Sequence, residues 1–140
     1  MSTALKTGAT GLKSIREQLD AVQVGYSLTY ATSLMDKVTR GNPVLKRRIL
    51  SQATITRLKQ PQNDAPVLKK DLSEKMARIE RIWARALSIY QNDEAAASAF
   101  MNRPHMMLAG KTPLEMTLEG ETSAAFLNTI LGTIEHGFAA

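Results

Sequence analysis

The stretch LKKDLSEKMARIERIWARALSIY, residues 68–90, carries the clearest structural signal in this chain of 140 residues. Its large apolar residues recur every three or four positions, at Leu68, Leu72, Met76, Ile79, Trp83, Leu87 and Tyr90. This spacing predicts an amphipathic helix of about six turns. Its apolar stripe must be covered by the flanking helices or by a partner chain.

Shorter helices are predicted on both sides of this stretch. Ser27 is a candidate N-cap for a helix that ends near Val38, and the Gly41-Asn42-Pro43 turn opens the next helix. Asn92 is a candidate N-cap for a helix that runs toward Phe100. No stretch shows sustained alternation of polar and apolar residues, so we expect an all-α fold of six to eight helices.

The C-terminal part of the chain contains a linker with proline and glycine residues, followed by helix-start signals and a last helix. Residues 100–113 read FMNRPHMMLAGKTP, and Thr112-Pro113-Leu114-Glu115 combines a capping box with proline at the first helical position. In the linker we expect Leu108 and one of Met106 and Met107 to be buried. The last helix is predicted over residues 121–136, with Gly137 as its left-handed cap.

The composition excludes several classes of site. There is no Cys, which rules out disulfides and thiolate metal ligands, and the two His residues show no metal-binding spacing. We therefore expect no enzyme activity, no metal and no cofactor. The longest uncharged apolar-rich stretch, residues 122–134, is shorter than the roughly 20 residues of a membrane-spanning helix. No secretory signal is visible, which predicts a cytoplasmic protein without membrane contact.

Charge is distributed unevenly along the chain. Residues 1–91 hold 16 Lys and Arg against 7 Asp and Glu, whereas residues 92–140 hold 2 against 6. Within the basic part, two short helices around the Leu50-Ser51 turn have the order of a helix–turn–helix, the motif that docks in the DNA major groove. Its candidate DNA-binding residues are Lys46, Arg47, Arg48, Gln52, Thr54, Thr56, Arg57 and Lys59. The alternative is a solvated basic face without DNA contact.

Two groups of motifs resemble the Xre/MbcA/ParS-type antitoxins, which pair with RES-domain toxins. In the C-terminal part they are Asn102-Arg103-Pro104, Leu108, Gly110, Thr112-Pro113-Leu114 and Ile134-Glu135-His136-Gly137. In the N-terminal part, Ser51-Gln52-Ala53-Thr54-Ile55-Thr56-Arg57 is similar to the family's recognition helix. The helix before it departs from the family pattern, because Lys46-Arg47-Arg48-Ile49-Leu50 contains no glycine.

The resemblance implies a fold division and a function. It implies Xre-like helix–turn–helix helices (24–66) and a C-terminal toxin-binding domain (67–140). Residues 1–23 have no counterpart in the family pattern and are expected to form a flexible segment. RES-domain toxins resemble ADP-ribosyltransferases and act on NAD, and their antitoxins cover the NAD pocket. The residues expected to contact the toxin are Glu135, His136, Gly137, Phe138, Ala139 and Ala140.

The implied partners are a cognate RES-domain toxin and, for repression of the protein's own operon, operator DNA. A homodimer, or a hetero-oligomer with the toxin, is expected. Two rivals remain open at this point. One is a stand-alone helix–turn–helix repressor, and the other is a helical scaffold whose partner is unrelated to NAD chemistry.

Overall fold

The computed structural model describes residues 14–139, with side chains as far as His136. This part of the chain contains eight α-helices, one short 3-10 helix and, in place of any strand, a single isolated bridge. The helices are α1 (Ile15–Val24), α2 (Leu28–Thr39), α3 (Pro43–Ile49), α4 (Gln52–Leu58), α5 (Lys70–Ile89), α6 (Glu94–Met101), α7 (Pro113–Glu119) and α8 (Glu121–Ala139). The 3-10 helix, Met106–Leu108, lies between α6 and α7. The all-α prediction is confirmed. Among the described helices, none is both long and apolar enough to span a bilayer.

Most helix starts follow from N-cap side chains. Ser51 and the predicted caps Ser27 and Thr112 each accept a hydrogen bond from the backbone N–H three residues later, and Thr112 and Glu115 form the predicted capping box. The prediction of Asn92 as a cap was wrong, since Asp93 caps α6. The chain reverses after α5 through two left-handed residues, one of which is Asn92 at φ 67°. Asp93 is therefore the first extended residue and the one that can cap.

Helix α5, the predicted amphipathic helix, is the centre of the fold. Helices α1, α6, α7 and α8 all pack against it. Its inward stripe (Met76, Ile79, Ile82, Trp83, Ala86 and Leu87) is buried. The outward positions include the exposed and charged Asp71 and Glu74. The apolar stripe is thus covered by helices of the same chain rather than left for a partner.

The start of α5 is joined to the start of α2 by backbone hydrogen bonds. Leu68 N donates to Tyr26 O at 2.8 Å, and Leu28 N donates to Pro66 O at 3.0 Å. Gly25 permits this close approach, because a Cβ added there would lie 2.8 Å from Leu68 O. Its φ of +105° also strongly favours glycine. The junction therefore fixes the N-terminal helices on the long helix.

A buried carboxylate strengthens the same contact. Glu80, on α5, is fully buried and accepts hydrogen bonds from the hydroxyl groups of Tyr26, at 2.8 Å, and Tyr30. Burial, followed by the neighbouring Glu80 charge, raises the pKa of Tyr26 well above its usual range. Two tyrosines from the N-terminal part thus provide the partners that a buried charge requires.

The predicted boundary at residue 66 does not separate two hydrophobic cores. One continuous cluster of buried side chains includes Met35 and Val38 from α2 together with Trp83 and Leu131 from α5 and α8. Asn102 Nδ2 donates to Val38 O at 2.9 Å, across the same boundary. Within the expected flexible segment 1–23, Ile15 begins a capped helix, and residues 1–13 lie outside the described part of the chain. The division into a helix–turn–helix part (24–66) and a toxin-binding part (67–140) therefore stays a prediction about function.

The last helix continues past its predicted end. Helix α8 runs to Ala139, so Gly137 lies inside it and is not a left-handed cap. A glycine inside a helix costs only about 1 kcal/mol relative to alanine. This cost is too small to end the helix at Gly137. Phe138 consequently lies in helical backbone rather than beyond a helix stop.

Candidate functional site

The N-terminal candidate surface is formed by α3, the Leu50-Ser51 turn and α4. Leu50 and Ser51 both have extended backbone, with φ −144° and −67°. Both Ile49 and Leu50 are buried, and Ser51 caps α4. The turn contains no left-handed residue, so its backbone does not require glycine.

Lys75 ties this turn to the long helix. Its Nζ donates to the carbonyl of Ile49 at 3.0 Å, at the C-terminal end of α3, where carbonyl groups lack helical partners. Burial lowers the pKa of Lys75 from its ordinary value. The orientation of α3 and α4 therefore depends on a residue of α5, which no local motif indicated.

The predicted DNA-binding residues form an exposed surface with two partial exceptions. Arg47, Arg48, Gln52, Thr56, Arg57 and Lys59 are exposed, whereas Lys46 and Thr54 are half-buried. Helix α4 has no fully buried residue, so it lies at the edge of the fold with Ile55 and Leu58 half-buried beneath it. This arrangement leaves its outer side free for a flat or convex partner.

Two of the basic residues are paired with carboxylates from elsewhere in the chain. Lys46 Nζ lies 2.7 Å from Asp36 Oδ1, and Arg48 Nη1 lies 3.7 Å from Glu115 Oε2. Arg47, Arg57 and Lys59 form no ion pair with residues in the described ranges. The charge available to phosphates is therefore concentrated on α4 and on one residue of α3.

The linker between α6 and α7 is held by structural contacts. Leu108 is buried as predicted, and the His105 ring packs on Phe100 with centroids 4.7 Å apart. The expectation that one of the two methionines is buried was wrong, since Met106 and Met107 are 98% and 62% exposed. A three-residue 3-10 helix directs one residue per turn inward, and Leu108 occupies that position.

The end of α8 is fastened to α5 through Glu135. Its Oε1 accepts a hydrogen bond from Arg85 Nη1 at 2.6 Å, and its Oε2 accepts one from Ser88 Oγ. Arg85 Nε also donates to Asn128 Oδ1 at 3.0 Å. The Ser88 hydroxyl, followed by the Arg85 guanidinium, holds the pKa of Glu135 below its usual range. Arg85, Ser88 and Asn128 were not predicted, because they meet only when helices distant in sequence pack.

The other predicted toxin-contact residues follow Glu135. His136 is exposed in the last turns of α8. For Gly137, Phe138 and Ala139 only the helical backbone is described, and Ala140 lies outside the described residues. Of the two predicted toxin-contact residues whose side chains are described, Glu135 contacts α5 and His136 is exposed. Among residues 14–136, no group of three or more His, Asp and Glu side chains is arranged to hold a metal ion.

Two comparisons with known proteins found a similarity, and the family match concerns the C-terminal region. Residues 85–137 match the family described as the antitoxin Xre/MbcA/ParS C-terminal toxin-binding domain. A protein named Antitoxin Xre, from Photorhabdus laumondii subsp. laumondii, is 33% identical over 70 residues, which are 50% of this chain and 47% of that protein. The match thus spans about half the length of this relative. The part of the chain that is similar to this family runs from the second half of α5 into the last turns of α8.

Proposed function

We propose that this protein is the antitoxin of a toxin–antitoxin pair and neutralises its toxin by direct binding rather than by catalysis. The observation that carries the proposal is the match of residues 85–137 to a family described as toxin-binding. The geometry is compatible with it, since the matched residues are held by capped helices packed on α5. Such a rigid surface loses little conformational entropy on binding.

The proposed toxin is a RES-domain protein that consumes NAD or transfers ADP-ribose from it. The motifs that support this class are Asn102-Arg103-Pro104 and Ile134-Glu135-His136-Gly137. We place the complex in the bacterial cytoplasm. The last residues of the chain, 136–140, are proposed to cover the NAD pocket of the toxin.

Glu135 receives a different role in this proposal from the one its sequence position suggests. Its carboxylate is bonded to Arg85 and Ser88, so pairing with a toxin cation would require those bonds to break. Glu135 is therefore proposed to fix the direction of the last turns of α8. The residues after it are then delivered to the toxin in one orientation, which lowers the entropic cost of binding.

Growth rescue tests this proposal. The proposed RES-domain toxin is co-expressed with the full-length chain, with a chain that ends at Glu135, or with a chain that ends at Phe138. The full-length chain and the longer truncation are expected to rescue growth, whereas the chain ending at Glu135 binds the toxin without rescuing growth. Equal rescue by all three chains would contradict the pocket-covering role, and failure of the full-length chain would contradict the antitoxin function.

A second function, repression of its own operon, is favoured by the exposed surface of α4. Arg57 and Lys59 lie on or just after this helix, and with Arg47 they are the predicted DNA-binding cations that form no ion pair in the described part. The rival, a stand-alone repressor, uses the same surface but requires no toxin. Binding to the upstream promoter by the chain alone and with toxin separates these functions. Tight, salt-sensitive binding without any toxin complex would favour the rival.

A further inference from the structure

The outer side of α8 carries no charge over most of its length. Residues 122–134 contain no Asp, Glu, Lys or Arg, although Thr122, Ala125, Phe126, Thr129 and Thr133 are exposed. Solvent-exposed helix faces usually carry charged residues, as α5 does at Asp71 and Glu74. An uncharged exposed face therefore marks a candidate interaction surface.

The threonines on this side add little polarity to it. Thr129 Oγ1 donates to Ala125 O at 3.1 Å, and Thr133 Oγ1 donates to Thr129 O at 3.2 Å. Each hydroxyl group is thus bonded within its own helix, and each side chain also has a methyl group available for contact. A partner could cover these positions without having to supply a hydrogen bond.

Large apolar side chains lie beside the threonines. Phe126 is 55% exposed, and Met107, Ile130 and Ile134 line one shallow cleft between the linker and α8. We name Met107, Phe126, Thr129, Ile130, Thr133 and Ile134 the neutral face. Aromatic residues and methionine are enriched at protein interfaces, where methionine adapts its shape to the partner.

We propose that the neutral face is the main contact surface for the toxin, and that it meets an uncharged, apolar patch there. This inference rests on the proposed antitoxin function. The neutral face lies entirely within residues 85–137, the part that matches a toxin-binding family. Glu135, the acidic residue next to it, has its carboxylate bonded to Arg85 and Ser88, so it leaves the face neutral. The face provides affinity, while the residues after Glu135 provide inhibition.

Substitutions at Thr129 test this assignment in the full-length chain. Thr129→Glu places a charge at the centre of the neutral face, whereas Thr129→Val keeps the face apolar and removes only an internally bonded hydroxyl group. Ala95→Glu, at an exposed position of α6 within the matched residues, is the charge-matched control. Circular dichroism and the thermal midpoint establish that every variant is folded.

The readout is the dissociation constant for the proposed RES-domain toxin, measured by calorimetry. Thr129→Glu is expected to weaken binding at least about tenfold, because the new carboxylate loses water without gaining a partner. Thr129→Val and Ala95→Glu are expected to bind within about twofold of the unaltered chain.

The alternative outcomes separate the two proposals. If the unaltered chain forms no complex, the antitoxin function and the contact surface both fall. If the complex forms and Thr129→Glu binds as tightly as Ala95→Glu, only the contact surface is refuted. Sedimentation of the chain alone identifies a third case. A homodimer that Thr129→Glu dissociates, with toxin affinity unchanged, would assign the face to a second copy and overturn the inference.

Discussion

Replacing Gly25 by alanine should destabilise the junction between the N-terminal helices and α5. The added Cβ would lie 2.8 Å from Leu68 O and 3.1 Å from Val67 Cβ. Both contacts are with the segment whose backbone is already fixed, because Leu68 N donates to Tyr26 O at 2.8 Å. The clash therefore cannot be relieved by rotation of a flexible side chain, and the bridge between the two segments must open or shift.

Two costs add at this position. A non-glycine residue at φ +105° costs about 1–3 kcal/mol of backbone strain. Forcing an extra methyl group into a packed site costs about 1–3 kcal/mol more. We expect Gly25→Ala to lower the free energy of unfolding by about 4 kcal/mol, a large part of the roughly 5–15 kcal/mol typical of a domain.

Urea unfolding followed by circular dichroism measures this loss, and Gly41→Ala is the matched control. Gly41 also has a positive φ, of +78°, but a Cβ there would meet nothing within 4 Å. The control should therefore lose only about 1–2 kcal/mol, from the left-handed backbone alone. Equal losses for the two variants would refute the assignment of a steric role to the contact between Gly25 and Leu68.

Three further predictions concern the ties between helices and the basic surface. Because the pKa of Glu135 is lowered in the folded chain, its stabilisation is present at neutral pH and lost as acid protonates the carboxylate. Glu135→Gln should thus lower the thermal midpoint slightly at pH 7 but not in acid, and a deficit independent of pH would contradict the ion pair. Lys75→Met removes the donor to Ile49 O and should cost about 1–2 kcal/mol in urea unfolding, whereas a loss near zero would show that water replaces it. Arg57→Ala should reduce the dependence of promoter binding on log salt concentration by about one, and an unchanged slope would remove α4 from the phosphate contacts.

Local patterns predicted most of the helices. The cap Ser27, the turn at Gly41 and the capping box at Thr112 each depend on three or four neighbouring residues. Such local features can be predicted from the sequence alone. The apolar stripe of α5 is equally local, because its period of three to four residues is set by helix geometry. The cap of α6 was assigned to Asn92 rather than Asp93, because Asn and Asp both cap helices well and the sequence does not show which one follows the left-handed reversal.

Contacts between distant residues could not be predicted in the same way. Burial of Glu80 depends on two tyrosines about 50 positions earlier, and the pairing of Arg48 with Glu115 joins α3 to α7. A charge count along the chain treats Arg48 as available to DNA, although a carboxylate from the acidic part lies beside it. In the same way, the Glu135 side chain lies near the end of the sequence and looks unpaired there, but in the structure its carboxylate is bonded to Arg85 of α5.

The most direct test of the account is NAD consumption by the purified RES-domain toxin proposed as the partner, measured while the purified full-length chain is titrated in. The account predicts that a stable complex forms on gel filtration and that NAD consumption falls to the background rate at a fixed stoichiometric ratio. An undiminished rate with no complex, at concentrations where the chain is folded, would contradict the antitoxin function.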